Sequence, residues 1–191
     1  MSSETVSSQA PAVRIKETIP LWIAVGITVA VSVPFTLWLS HWNLAVWCSF
    51  IVWAEYFALG AKPAAARTIL PAFATSAIGT AILLAIIAAL NSTAKLVTAG
   101  DIAVIAVLGV GCGGLVYLMK FWQVLQSGSL PFFNGISMVL AVYFTTSFPH
   151  VTDQASLTAL WAGVWTVVLG AFGVLLGMFN VWLTFPKDVR S

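Results

Sequence analysis

The chain has 191 residues, 60% of them hydrophobic and only 7% charged, where a soluble domain carries about a quarter charged residues. That much apolar surface cannot be hidden in a water-soluble core, whereas in hydrocarbon the side chains meet a matching solvent and the backbone satisfies itself in helices. The net charge of +2 is spread thinly over tails and connections, which excludes the basic stripe of a nucleic-acid binder.

In chain order, residues 1–17 are polar and rich in Ser and Ala. They lack the short apolar core behind a basic start that marks a cleaved secretory signal, so residues 1–18 read as a flexible cytoplasmic tail. Six apolar runs follow, at 20–40, 44–61, 68–90, 101–120, 131–149 and 155–185, each near the roughly 20 residues that cross a bilayer as a helix. The sixth is the longest, and Gly170, Gly173 and Gly177 give it room to bend, so its length does not demand a seventh span. Residues 19–186 are thus predicted to form one six-helix transmembrane domain, with 187–191 a cytoplasmic C-terminal tail. Cys48 and Cys112 fall inside apolar runs, where a thiol behaves as a small hydrophobe.

Orientation follows from Lys and Arg, which are retained on the cytoplasmic side during insertion. With the N-terminus inside, Arg14, Lys16, Lys62, Arg67, Lys120, Lys187 and Arg190 are cytoplasmic and Lys95 alone is outside. Trp22, Trp122 and Trp182 then lie near the inner interface and Trp38, Trp42 and Trp47 near the outer one, as an aromatic belt requires. The expected location is a bacterial inner membrane with both termini cytoplasmic.

Ala54-Glu55-Tyr56-Phe57 on the second run matches Ala141-Val142-Tyr143-Phe144 on the fifth. Each stands late in the middle helix of a three-helix group and precedes a connection containing Pro63 or Pro149. Two halves with an odd number of spans must sit upside down relative to each other, so the fold class predicted is all-α, a 3+3 inverted repeat with N-in/C-in topology, a plan that usually places a solute site between the halves.

Trp47-Cys48-Ser49-Phe50, its continuation through Ala54-Glu55-Tyr56-Phe57-Ala58, the proline-containing loop and Arg67 resemble the YcdZ-like family of small bacterial inner-membrane proteins, a domain of unknown function. The resemblance covers roughly residues 20–180. It implies an inner-membrane location and a compact multi-span fold, and it implies no activity. Glu55 departs from the family's aromatic pattern, in which a small residue is expected.

Glu55 is the one acidic residue well inside a span, and an ionisable group there is costly enough to suggest function. Its roles would be a proton-coupled carrier site, a hydrogen-bonding group for an amide or amine, or an attraction point for a cation. The alternative is that it snorkels or pairs with Lys62 near the interface. Tyr56, Phe57, Tyr143 and Phe144 suit either paired aromatic constrictions where the halves meet or ordinary packing. Asn134, Ser137, Thr145 and Thr146 offer groups that replace a solute's hydration or bond helix to helix. Gly109 with Gly113, and Gly173 with Gly177, form small-xxx-small faces for helix or protomer contact, and the cluster Gly109, Gly111, Gly113, Gly114 is no nucleotide loop because no strand precedes it. His41 and His150, with Asp153 near the latter, read as solvated loop residues rather than a pH gate or zinc site.

No catalytic triad, carboxylate pair or metal-binding helix motif is present in the sequence, so neither an enzyme nor a cofactor or metal is expected. The function predicted is a channel or facilitator for a small polar solute, oligomeric, with Glu55, Tyr56, Phe57, Asn134, Ser137, Tyr143, Phe144 and Thr145 lining its path. The rival is a non-transporting subunit that assembles with another membrane complex. Expected partners are the bilayer, the solute, and further copies or a partner subunit.

Overall fold

The computed structural model describes residues 17–38, 42 and 44–185. Arg14, Lys16, His41, Lys187, Arg190, both predicted tail segments apart from Glu17 and Thr18, and the side chain of Trp38 lie outside the described residues. Within them the chain is all-helical, apart from one isolated bridge between Lys95 and Ala99. The helices are α1 (Leu21–Trp38), α2 (Val46–Ala58), α3 (Pro63–Leu90), α4 (Asp101–Leu118, extended by a 3-10 turn Met119–Phe121), α5 (Gln123–Ser127), α6 (Ser129–Phe144) and α7 (Ala155–Thr184). Three of them are long and apolar enough to cross a membrane: α3, α4 with its 3-10 extension, and α7. α1, α2 and α6 are apolar but shorter. These features fit a membrane protein.

Local chemistry sets the boundaries. α2 ends where Gly60 and Ala61 take positive φ. Pro63 starts α3 at the position where a missing N–H costs nothing, so this helix begins before the predicted 68 and carries Arg67 exposed in its second turn. Asn91 in the left-handed region ends α3. Asp101 opens α4 and accepts hydrogen bonds from the backbone N–H groups of Leu96 (2.7 Å), Val97 (2.8 Å) and Thr98 (2.8 Å), which folds the preceding loop onto the helix start. α6 stops at Phe144, short of the predicted 149, because Thr146 turns left-handed. α7 is continuous through its three glycines.

α3 and α7 form the centre and run antiparallel, with Gly163 lying over Ala77 and Ala81 and Gly170 over Phe73. α2 runs parallel to α7: Gly173 meets the Ser49 carbonyl and Val52, Gly177 meets Tyr56, and Ser49 Oγ donates to the Leu169 carbonyl (2.8 Å). α6 runs parallel to α3, Gly128 meeting Thr68 and Ala72 and Gly135 meeting Phe73 and Ser76. α1 lies antiparallel on the outside of α7 through Asn180 Nδ2 donating to Thr28 Oγ1 (3.0 Å) and an edge contact of Phe35 with Phe172 at 5.6 Å. α4 lies antiparallel on the outside of α3, Leu115 filling the space over Gly79 and Leu83 that over Gly111.

Direction therefore alternates through α1, α2, α3, α4, α6 and α7. One end of the bundle gathers the start of α1, whose preceding Thr18 N–H donates to the Thr184 carbonyl (2.8 Å), the α2–α3 turn and the α4–α6 connection. Lys62, Arg67 and Lys120 are exposed there, with Trp22, Trp122 and Trp182. The far end holds the α3–α4 loop with Lys95, the α6–α7 connection, and the exposed Trp42 and Trp47.

Candidate functional site

Glu55 stands in the last turn of α2 and is only 2% exposed. Two contacts fix the helix that carries it, because Gly173 and Gly177 let the α2 backbone and the Tyr56 ring press directly on α7. Asn134 stands near the start of α6, where Gly135 plays the same part against α3. The result is that Asn134 Nδ2 donates to Glu55 Oε1 across the two middle helices. Glu55 Oε2 is buried and has no hydrogen-bond partner among the described residues. No ion pair joins Glu55 to Lys62 among the described residues: beyond the positive-φ turn at Gly60 and Ala61, Lys62 stands exposed at the start of α3.

A buried carboxylate with one oxygen bonded and one unpartnered can accept a donor from an incoming molecule or hold a proton. The amide opposite orients it. Val52 and Tyr56 of α2 and Val139 of α6 belong to one buried apolar cluster, so a polar group entering the interior of the bundle meets largely apolar side chains.

Comparison with known proteins finds no matching family, curated protein or solved structure.

The remaining predicted site residues divide between the two ends of the bundle. Tyr56 is buried against Gly177, while Phe57 lines a groove of about 410 Å³ between α1 and α2 with Leu21, Val25, Phe50, Trp53 and Ala54. Ser137 is exposed on α6, its hydroxyl donating to the Phe133 carbonyl at 3.1 Å. Tyr143 and Phe144 stack edge to face at 5.3 Å at the far end of α6 and line a cleft of about 130 Å³ with Leu84, Ile87, Ala88 and Val104. Thr145 caps that end, its hydroxyl donating to the Ala141 carbonyl at 2.6 Å. The structure thus brings Glu55 and Asn134 together and leaves the two Tyr-Phe pairs at opposite ends. His150 and Asp153 form an exposed ion pair at 3.2 Å.

A ladder of buried polar groups escaped the sequence reading: Thr28, Ser32, Ser49, Ser76, Thr80, Thr166, Asn180 and Thr184. One signal for it was available. Gly173, Gly177, Asn180 and Thr184 fall on one helical face, and all four are buried. Most of the hydroxyls donate to a carbonyl one turn back, as Thr28 does to Ala24 and Thr166 to Ala162.

Proposed function

We propose that this chain is a six-span protein of a bacterial inner membrane, both termini cytoplasmic, that passes a small polar solute across the bilayer by way of the Glu55–Asn134 contact. The observation that carries this reading is the buried carboxylate between α2 and α6 with one oxygen unpartnered. Intramembrane carboxylates are expensive and mark solute, ion or proton paths, and at 2% exposure this one would have to be uncovered for a solute to reach it. The alternating helix directions support six crossings, and the exposed cations Lys62, Arg67 and Lys120 at one end support a cytoplasmic assignment for it.

An inverted repeat is part of this proposal, and the packing supports it. α1 lies outside α7 as α4 lies outside α3, and α2 follows α7 as α6 follows α3. Ser49 of α2 meets Gly173 of α7, and Gly135 of α6 meets Ser76 of α3. The helix ends also correspond. Leu59, Gly60 and Ala61 donate to the carbonyls of Glu55, Phe57 and Tyr56 as Thr145, Thr146 and Ser147 do to those of Ala141, Tyr143 and Val142. This register is one residue out of step with the Tyr56–Tyr143 sequence match, so Phe57 takes the place of Tyr143, and Glu55 and Asn134 correspond to Ala141 and Cys48. The polar pair then occurs once per chain, at the basic end. Membership of the YcdZ-like family belongs to the same proposal, on the residues between Trp47 and Arg67.

Stopped-flow light scattering on proteoliposomes tests the function, with urea, acetamide, glycerol and ammonium salts as solutes. Volume relaxation faster than in empty liposomes supports it, and identical traces defeat it. The second reading, a non-transporting subunit, is favoured by α4, which has no buried residue and packs on α3 alone among the long helices. An added Cβ at Gly109, Gly113 or Gly114 would meet nothing within 4 Å.

A further inference from the structure

Inside the bundle, a charge on Glu55 would have no compensating cation among the described residues. Lys62, Arg67 and Lys120 are exposed at the bundle end, His150 is occupied by Asp153, and no positive side chain among the described residues pairs with Glu55. Asn134 supplies a neutral donor to Oε1 only, and Oε2 has no donor among the described residues. A neutral solute such as an amide would satisfy the oxygen but leave the charge unbalanced in a low-dielectric layer, where uncompensated charge is most costly. A protonated carboxyl would need an acceptor for its own O–H, and Oε2 has no partner of either kind.

A bare metal ion fits poorly too, since hard cations want six or more oxygen ligands and no group of three or more His, Cys, Asp or Glu occurs among the described residues. A cation with directional N–H donors needs fewer acceptors, and a small alkyl part is compatible with the apolar interior of the bundle, to which Val52 and Tyr56 of α2 and Val139 of α6 belong. We infer, resting on the transport reading above, that the Glu55–Asn134 site receives a small protonated amine, a methylammonium-sized cation whose N–H donates to Glu55 Oε2. The solute class is thereby narrowed from small polar molecules to monovalent ammonium-type cations. Among the described residues the pair occurs once, because in the proposed repeat Glu55 corresponds to Ala141 and Asn134 to Cys48.

The test uses the full-length protein in proteoliposomes on a solid-supported membrane, jumping methylammonium chloride against sodium chloride at constant ionic strength. Methylammonium is expected to give a saturable current that sodium does not. Glu55→Gln keeps the shape and the contact to Asn134 but loses the charge, and the current should fall by about tenfold or more, the factor for losing one charge-assisted hydrogen bond. Glu55→Asp retains the charge, draws it back by one methylene, and should raise the half-saturating concentration while current persists, which keeps the test decisive should the glutamine variant fail to reconstitute. Current equal to that of empty liposomes, or undiminished in Glu55→Gln, overturns the inference. Acetamide flux in the same vesicles separates the two claims: flux of acetamide without methylammonium current leaves transport standing and removes the cation assignment, and absence of both removes both.

Discussion

Gly135 shows how narrowly a single side chain decides this packing. A Cβ there would collide with Ser76 Oγ and the Phe73 carbonyl, and the neighbours are backbone or a hydroxyl already donating to Phe73 at 3.0 Å. Gly135→Ala should therefore destabilise the protein by about 1–3 kcal/mol, the usual cost of overpacking, read as earlier thermal unfolding in detergent. Gly113→Ala places the same methyl in open space, and its unfolding should match that of the parent chain. The sequence marks Gly113 as part of a small-xxx-small face and Gly135 only as a small residue in an apolar run. Spacing treats the Gly109/Gly113 and Gly173/Gly177 faces alike, yet the second is filled by Ser49 and Tyr56 and the first is empty. Glu55 was legible because charge stands out in an apolar run. Its partner was legible only as one of several polar groups, since the α2–α6 contact joins residues far apart in sequence.

At the level of elements, the loop between α3 and α4 is held by one carboxylate. Three successive N–H groups, of Leu96, Val97 and Thr98, converge on Asp101, and Gly100 N–H adds a bond to the Ala94 carbonyl at 3.1 Å. Removing the carboxylate in Asp101→Ala leaves those donors to water and frees Lys95, already exposed. Trypsin added from the side that this loop faces should cut after Lys95 several-fold faster than in the parent, with Asp101→Asn between the two; equal rates would show that the loop is ordered by something else. Helix positions were readable from apolar runs because every span must be apolar. Ends were readable where turn chemistry is explicit, as at Pro63 and Asn91, and unreadable at Thr146, a β-branched residue in a left-handed turn that no propensity announces. The short α5, Gln123–Ser127, gave no signal of its own.

For the whole molecule, the choice of α3 and α7 as the central pair could not be read from composition. α4 is as apolar as they are, yet it has no buried residue; in lipid, hydrophobicity does not say which helix is inside, and small residues with close backbones do. The proposed six crossings with the basic end inside predict a definite labelling pattern. In a cysteine-free background in intact cells, an impermeant maleimide should reach Val97→Cys at once and reach Lys62→Cys and Lys120→Cys only after the membrane is opened. The reverse pattern would invert the orientation, and Lys62 and Lys120 on opposite sides would break the alternation.

The brevity of α2 and α6 carries a last consequence. Their 13 and 16 residues span about 20 and 24 Å, against roughly 30 Å of hydrocarbon. Glu55 stands three residues from the end of α2, about 5 Å along the axis, on the side of Lys62. In the proposed six-span arrangement the carboxylate is therefore nearer the basic end of α2, and more of the transmembrane voltage would fall on its far side. On the proposed transport reading, a charge reaching Glu55 from the basic end would cross less of that voltage than one arriving from the far end, so membrane potential would act unequally on the two halves of the passage.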